Sequence, residues 1–264
     1  MTPDLLTKFA SPITALSKAE LDDPRLAPSL RMERVTVGGR NVEMIYAPFD
    51  HVNRAAKVMI VGMTPGRTQA TNALRVAKEG LLASHPLELV SREAKVFASF
   101  SGEPMRTNLI RMLDLVGVAR FLSLASCGEL WSSRSDLVHF TSALRYPVFV
   151  DGLNWSGQPD MVRNQNLRSW LETYTGSELA LLEDALIVPL GPKVTAAMTH
   201  LATLGLVKHT HVLSGLPHPS GANSERISYF LGDKPAHLCS TKTNPETLDI
   251  ARAALIDRIE CLRT

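Results

Sequence analysis

Cysteine is scarce in this chain. Cys127, Cys239 and Cys261 are all there are, odd in number and far apart. They make neither a C-x-x-C pair nor a disulfide framework, and they are too few for one chain to hold an iron–sulfur cluster. Long apolar runs are missing too. None is long enough to span a bilayer, and the first residues lack the apolar stretch of a signal peptide, so the expected location is cytoplasmic. Aromatic residues are only 6% of the chain and the net charge is only +2. That balance, with a pI near 8.5, permits nucleic-acid binding through a local patch without pointing to it. Internal repeats and low-complexity tracts are also absent.

What is present suits one large α/β domain over residues 1–264. The 264 residues, 45% of them hydrophobic, are enough to bury a full core. A helix interrupted at Pro12 opens the chain, and a Pro-bearing loop follows. Apolar and polar residues then alternate on either side of Gly38-Gly39, which predicts a hairpin. Val58 to Gly62 reads as the first central strand, with Leu137 to Ser142, Ala185 to Leu190 and His209 to Ser214 as the second, third and fourth. Tyr146 to Val150 extends or follows the second. Helices are expected from Thr68 or Thr71 to Leu82, Leu87 to Phe97, Pro104 to Val116, Pro159 to Thr173, Pro192 to Leu204 and Ser224 to Leu231. A last helix begins at Asn244-Pro245-Glu246, with a cap and a proline at its first position. Strands alternating with helices predict a three-layer α/β/α fold around a central, mainly parallel four-stranded sheet. The core would span residues 57–232, with 1–56 as an N-terminal decoration and 244–263 as a C-terminal helix.

Two loops attract attention. Val58-Met59-Ile60-Val61 runs straight into Gly62-Met63-Thr64-Pro65-Gly66, and His211-Val212-Leu213-Ser214 into a turn holding His218-Pro219-Ser220. In an open α/β sheet, ligands bind beyond the carboxyl ends of the strands, where both loops belong. Each loop alone is a weak signal, because turns use Gly and Pro for their backbone angles alone. The ordered set says more: a Gly-x-x-Pro-Gly loop, a Thr141-Ser142 strand end, a Leu190-Gly191-Pro192 turn, and a His-Pro-Ser loop.

That ordered set resembles the uracil-DNA glycosylase superfamily over about residues 57–232. Gly62 to Gly66 is similar to its first motif, closest to the single-strand-selective branch. His218-Pro219-Ser220 matches the second motif. Phe100-Ser101-Gly102 and the segments Phe140 to Pro147 and Leu186 to Ala197 are similar to middle segments of the iron–sulfur branch, whose clustered cysteines are missing here. The resemblance implies a monofunctional DNA N-glycosylase that flips out a base and hydrolyses its glycosidic bond, with DNA as partner and with neither cofactor nor metal. His218 would stabilise the departing base, since even a neutral imidazole keeps one N–H. Thr64 and the Gly62, Met63, Pro65 and Gly66 backbone would place water. Phe100, Ser142, Asn154 and Trp155 would line the pocket, and Arg67, Ser220, Asn223 and Arg226 would hold DNA.

The departures from the family pattern matter as well. Met63 and Thr64 stand where members carry Asp, Asn or Glu, and a threonine hydroxyl is too weak a base to deprotonate water. A dissociative path tolerates that, because water attacks an already cationic carbon. Ser142 replaces a base-reading Asn and leaves space, so the expected substrate is a modified pyrimidine rather than plain uracil. Gly221 and Ala222 are too small to fill a vacated base stack. Asp151 and Glu225 are the nearest acids by sequence. The rival expectations are a relative that binds modified or abasic DNA without cutting, and a nucleotide or small-molecule hydrolase on the same scaffold.

Overall fold

In a computed structural model, residues 5–100 and 102–262 are described. The chain is a mixed α/β protein with two sheets. It opens with α1 (Leu5–Ala15), which contains Pro12, and the short α2 (Lys18–Asp22). Strands β1 (Arg31–Val37) and β2 (Arg40–Ile45) form the expected hairpin. Then come β3 (Val58–Gly62), α3 (Arg67–Leu82), α4 (Leu87–Ala98), α5 (Met105–Leu115) and α6 (Val118–Phe121). The second half holds β4 (Val138–Ser142), β5 (Val148–Val150), β6 (Leu153–Asn154), α7 (Gln165–Trp170), α8 (Ser177–Leu179) and β7 (Leu186–Pro189). It ends with α9 (Pro192–Thr203), α10 (Ser224–Leu231) and α11 (Pro245–Cys261).

The parallel sheet has three strands in the order β4-β3-β7. Every residue of the three strands is buried, as a parallel sheet covered on both faces requires. Successive side chains of β3 point to opposite sides. Met59 and Val61 join a core cluster with Ala73 of α3, Ala94 of α4 and Val194 of α9. Val58 and Ile60 join a second cluster with Leu109 of α5, Phe230 of α10 and Leu255 of α11. Helices thus cover both faces.

Several expectations are corrected or sharpened. The fourth strand of the parallel sheet is reduced to one bridge, Val212 beside Ile187, with the Leu213 N–H donating to Ile187 O (2.8 Å). His209–His211 is a single 3-10 turn instead. Of the two expectations for Tyr146 to Val150, following β4 holds and extending it does not. Residues 148–150 pair antiparallel with β2 in a second sheet of order β1-β2-β5-β6. The helix expected from Pro159 starts at Gln165, where the Asn164 side chain accepts the N–H groups of Asn166 and Leu167, and it widens into a π-type turn over Leu171–Gly176. Finally, α3 is capped neither by Thr68 nor by Thr71. The Gln69 side chain reaches back to the Gly66 N–H (3.0 Å). Residues 1–56 are also more than a covering, since Leu6, Phe9 and Ile13 of α1 are part of the first core. No helix among the described residues is long and apolar enough to cross a membrane.

Candidate functional site

Parallel pairing fixes which loops meet. Gly62 lies opposite Ser142, and Val61 opposite Pro189. The Leu190 N–H continues the ladder to Val61 O (2.9 Å). The ends of β4, β3 and β7 therefore sit side by side, about 4.8 Å from strand to strand. Gly191 turns the chain away from β7 with φ +92°, and a Cβ there would stand 3.6 Å from Cβ of His218. The second loop is thus seated on the end of the strand next to Gly62. Asn108 of α5 pins it from outside by donating to Pro219 O (3.0 Å).

His218 is half-buried, and that burial holds its pKa below the usual imidazole value. Its Nδ1 accepts the Ser220 N–H (3.3 Å), so the ring is neutral and Nε2 carries the proton. A neutral donor suits a departing base that gathers negative charge.

The first loop is stitched to the segment after β4. Ala143 N–H donates to Gly62 O (2.8 Å) and Leu144 N–H to Met63 O (2.9 Å). The Thr64 hydroxyl donates to Tyr146 O (3.0 Å) and accepts the Val148 N–H (3.2 Å). The side chain expected to place water is thereby a brace between the two sheets, with one lone pair left over. Asn154 braces the same loop by accepting the Arg67 N–H (3.1 Å), while the Arg67 side chain is exposed.

Behind the first loop lies a cavity of about 10 Å3, lined by Pro65, Gln69, Ser99, Phe100, Ser142 and Arg145 among others. That is room for about one water. Phe100 closes it. Its backbone is held at φ +47°, a strained setting for a bulky residue, and such settings cluster at ligand sites. Its ring packs against Phe140, with centroids 5.7 Å apart, and against Gly62, where a Cβ would be 3.0 Å from Cζ. Trp155, expected in this lining, is elsewhere. It is 4% exposed in the first core, and its indole N–H donates to Pro159 O (3.0 Å). Its hydrogen bond and apolar packing are satisfied together there, so no face is left to stack on a base.

Of the expected DNA-facing groups, Ser220, Asn223 and Arg226 lie together on the second loop and the start of α10, while Arg67 opens α3 on the first loop. Asn223 donates to Ser220 Oγ (3.3 Å). Arg226 is spanned between Asn223 Oδ1 (3.1 Å) and Lys242 O (2.9 Å). The two acids nearest in sequence are engaged away from the loops. Asp151 pairs with Arg40 (2.8 Å), and Glu225 binds Lys234, Ser240 and Thr243.

Beneath the small cavity is a buried charge network that sequence reasoning missed. Glu178 is fully buried and accepts from Lys95 Nζ (2.6 Å), His139 Nε2 (2.7 Å) and Thr141 Oγ1 (2.8 Å), with Arg145 Nε at 3.5 Å. The Asn53 N–H donates to His139 Nδ1 (3.4 Å), which leaves the Nε2 proton for Glu178. Burial lowers Lys95 to about 8 and His139 to about 4. Glu178 is held far below the usual carboxylate range by Arg145 and Lys95, against the opposing cost of burial. The π-type turn leads into α8, which carries Glu178, and Thr175 within the turn donates to Ser142 O (3.1 Å) and Ala143 O (2.9 Å). One signal was legible: Lys95 falls on the apolar stripe of α4 with Val90, Ser91, Ala94 and Ala98, where a solvated lysine has no place. Among the described residues, no group of three or more His, Cys, Asp or Glu side chains could hold a metal ion.

The class defined so far is a mixed α/β protein with a polar, aromatic-lidded cavity at the carboxyl ends of a parallel sheet. The chain is 32% identical over 232 residues to "Uncharacterized protein YoxB" of Bacillus subtilis (strain 168), a match covering 87% of this chain and 89% of that one. The chain belongs to the YoxB family. No family model matches it, and no solved structure matches it.

Proposed function

We propose that this protein is a DNA glycosylase of the uracil-DNA glycosylase type, acting on a modified pyrimidine in base-excision repair or in defence against modified foreign DNA. The observation that carries the reading is the alignment of Ser142, Gly62 and Gly191-His218 on three adjacent strand ends, with Phe100 against Gly62. The Val212 bridge supports a four-strand origin for the sheet. The everted base enters behind Gly62 once Phe100 moves, stacks on that ring and meets Ser142. The C1′–N bond breaks with its electron pair on the base, where His218 Nε2–H receives the charge. Water held by the backbone of the first loop adds to the sugar carbon, and its proton leaves to solvent. Glu178 is not the base, because its oxygens are already filled by four neighbours.

One feature favours a second reading, a protein that binds modified or abasic DNA without cutting it: the first loop has no carboxylate and its hydroxyl is a brace. A panel of oligonucleotides bearing uracil, oxidised, alkylated and hypermodified bases, scored for alkali-labile sites, separates the two. Release of at least one base, falling about 10²-fold or more in His218→Ala, is the expected result. Binding with no strand scission on any member overturns the glycosylase reading in favour of the second.

A further inference from the structure

Strand β4 is the edge of its sheet, paired only with β3, and its backbone shows which groups face outward. The Ala143 N–H donates to Gly62 O (2.8 Å). By alternation, Thr141 and His139 also turn their backbone groups to β3, while Val138, Phe140 and Ser142 turn theirs away. Two of the outward carbonyls are taken: Val138 O accepts from Asn53 Nδ2 (2.8 Å) and Ser142 O from Thr175 Oγ1 (3.1 Å). Phe140, between them, has neither its N–H nor its carbonyl bonded on that side among the described residues. It is 6% exposed, and backbone groups so deep are nearly always paired.

A cavity of about 830 Å3 lies against this edge and meets the small one only at Lys95, Ser99 and Phe140. Val138, His139 and Phe140 all line it. Successive side chains of a strand point to opposite faces, so a space touching all three lies beside the edge. From there it runs to Ser135, away from the strand ends that carry the two loops. Its far wall is α4, with Val96 and Phe97 exposed. The edge is recessed, its three residues being 2–6% exposed, so a single extended chain can reach it and the edge of a second folded sheet cannot. The inner wall is positive. Arg92 makes no hydrogen bond or ion pair among the described residues. At the half-buried His51 ring, Lys95 and Arg92 each act more strongly than Glu178. Of the acids in the lining, Asp136 is held by Arg134 (3.1 Å) and Glu93 is exposed.

We propose that this chamber binds an extended segment of a partner protein as a strand added to β4. The Phe140 N–H and carbonyl pair with the backbone of the segment, an acidic side chain of it meets Arg92, and apolar side chains lie on Val96 and Phe97. Backbone pairing of this kind supplies affinity whatever the sequence, and the side chains turned towards α4 choose it. A carboxylate on a guanidinium forms charge-assisted hydrogen bonds, which an amide or a methyl group cannot match. The inference stands apart from the glycosylase reading, since it uses neither loop.

The test uses the full chain and a library of short random peptides, acetylated at one end and amidated at the other, so that side chains carry the only carboxylates. Peptides retained by the protein are expected to contain Asp or Glu. They should bind Arg92→Gln weaker by about tenfold or more. Val96→Asp should weaken them as much, and both positions are exposed, so folding is not at stake. Exchange of the Phe140 amide hydrogen should slow by about tenfold or more when a retained peptide is bound. No binder from the library overturns the proposal, as do binders of unchanged affinity in Arg92→Gln or a Phe140 amide left unprotected. Displacement of the peptides by an unmodified single-stranded oligonucleotide would give the wall to nucleic acid and overturns it too. So does a chain that dimerises in solution and becomes monomeric in Val96→Asp, because a second copy would then cover the groove.

Discussion

Gly62 and Phe100 are fitted to one another: a Cβ on Gly62 would stand 3.0 Å from Cζ of the Phe100 ring and 3.5 Å from Ser142 Oγ. The strand end and the aromatic lid touch only because position 62 has no side chain. Gly62→Ala should push the ring outward, costing about 1–3 kcal/mol as overpacking and widening the small cavity. Phe100→Ala should open it without that strain and release the φ +47° backbone. Denaturant midpoints and base release read both. Identical behaviour of the two variants would mean that the ring is not a lid.

Thr64 separates bracing from chemistry. Thr64→Val loses the bonds to Tyr146 O and Val148 N–H, leaving two backbone groups short of partners, for a loss of about 1–3 kcal/mol. Thr64→Ser keeps the hydroxyl and should restore most of the stability. If the hydroxyl acts only as a brace, base release should follow stability across both variants. A Val variant of full stability, with release lost, would return the residue to a water-placing role.

The network under the pocket gives a prediction in stability alone. Glu178→Gln strands Lys95 and Arg145, each about 3% exposed, and should cost about 3–5 kcal/mol. Lys95→Met alone should also destabilise, and the double variant should lose less than the two singles summed. A double-mutant cycle by chemical denaturation measures the coupling. Additive losses would show that the Lys95–Glu178 contact (2.6 Å) carries no interaction energy.

Acid should weaken the protein before ordinary carboxylates titrate. His139 titrates near 4 in the folded chain against 6.5 when unfolded, because it is buried and faces Lys95. Between those values the unfolded chain binds the extra proton, so stability is lost as pH falls from 6.5 to 4. The slope approaches 1.4 kcal/mol per pH unit. His51, also held near 4, acts in the same direction but less, since water screens it. Below about 4.5, Glu178 extends the loss, its folded carboxyl being held well below its unfolded value. Unfolding free energies between pH 4 and 8 check this, with His139→Gln expected to flatten the curve. A flat wild-type profile over that range would show that burial and Lys95 do not hold His139 neutral.

Periodicity and turn chemistry were enough to read β3, β4, β7, the β1–β2 hairpin, and helices α4, α5, α9, α10 and α11 within a residue or two, and the end of α3 at Leu82. These patterns are local: an apolar run ended by Gly-Pro, or a 3.6-residue stripe ended by Gly, declares itself without neighbours. His218, Gly62, Phe100 and Ser142 could be nominated in the same way, because loops after buried strands are where such residues act. The partner of residues 148–150 was not readable, since a three-residue apolar run fits either sheet. Here the brace from Thr64 and the register with β2 place it.

Composition and order along the chain alone determined that this is an α/β protein whose buried strands end in Gly- and Pro-bearing loops, since burial and backbone geometry are written in neighbouring residues. Which side chains share a charge was decided only in three dimensions. Lys95, His139, Arg145 and Glu178 come from α4, from β4, from the loop after β4, and from α8 just past the π-type turn. Lys95 and His139 are marked by their places on an apolar stripe and in a central strand, but nothing along the chain joins the four to one another. Only packing that removes water from all four at once forces them to satisfy one another.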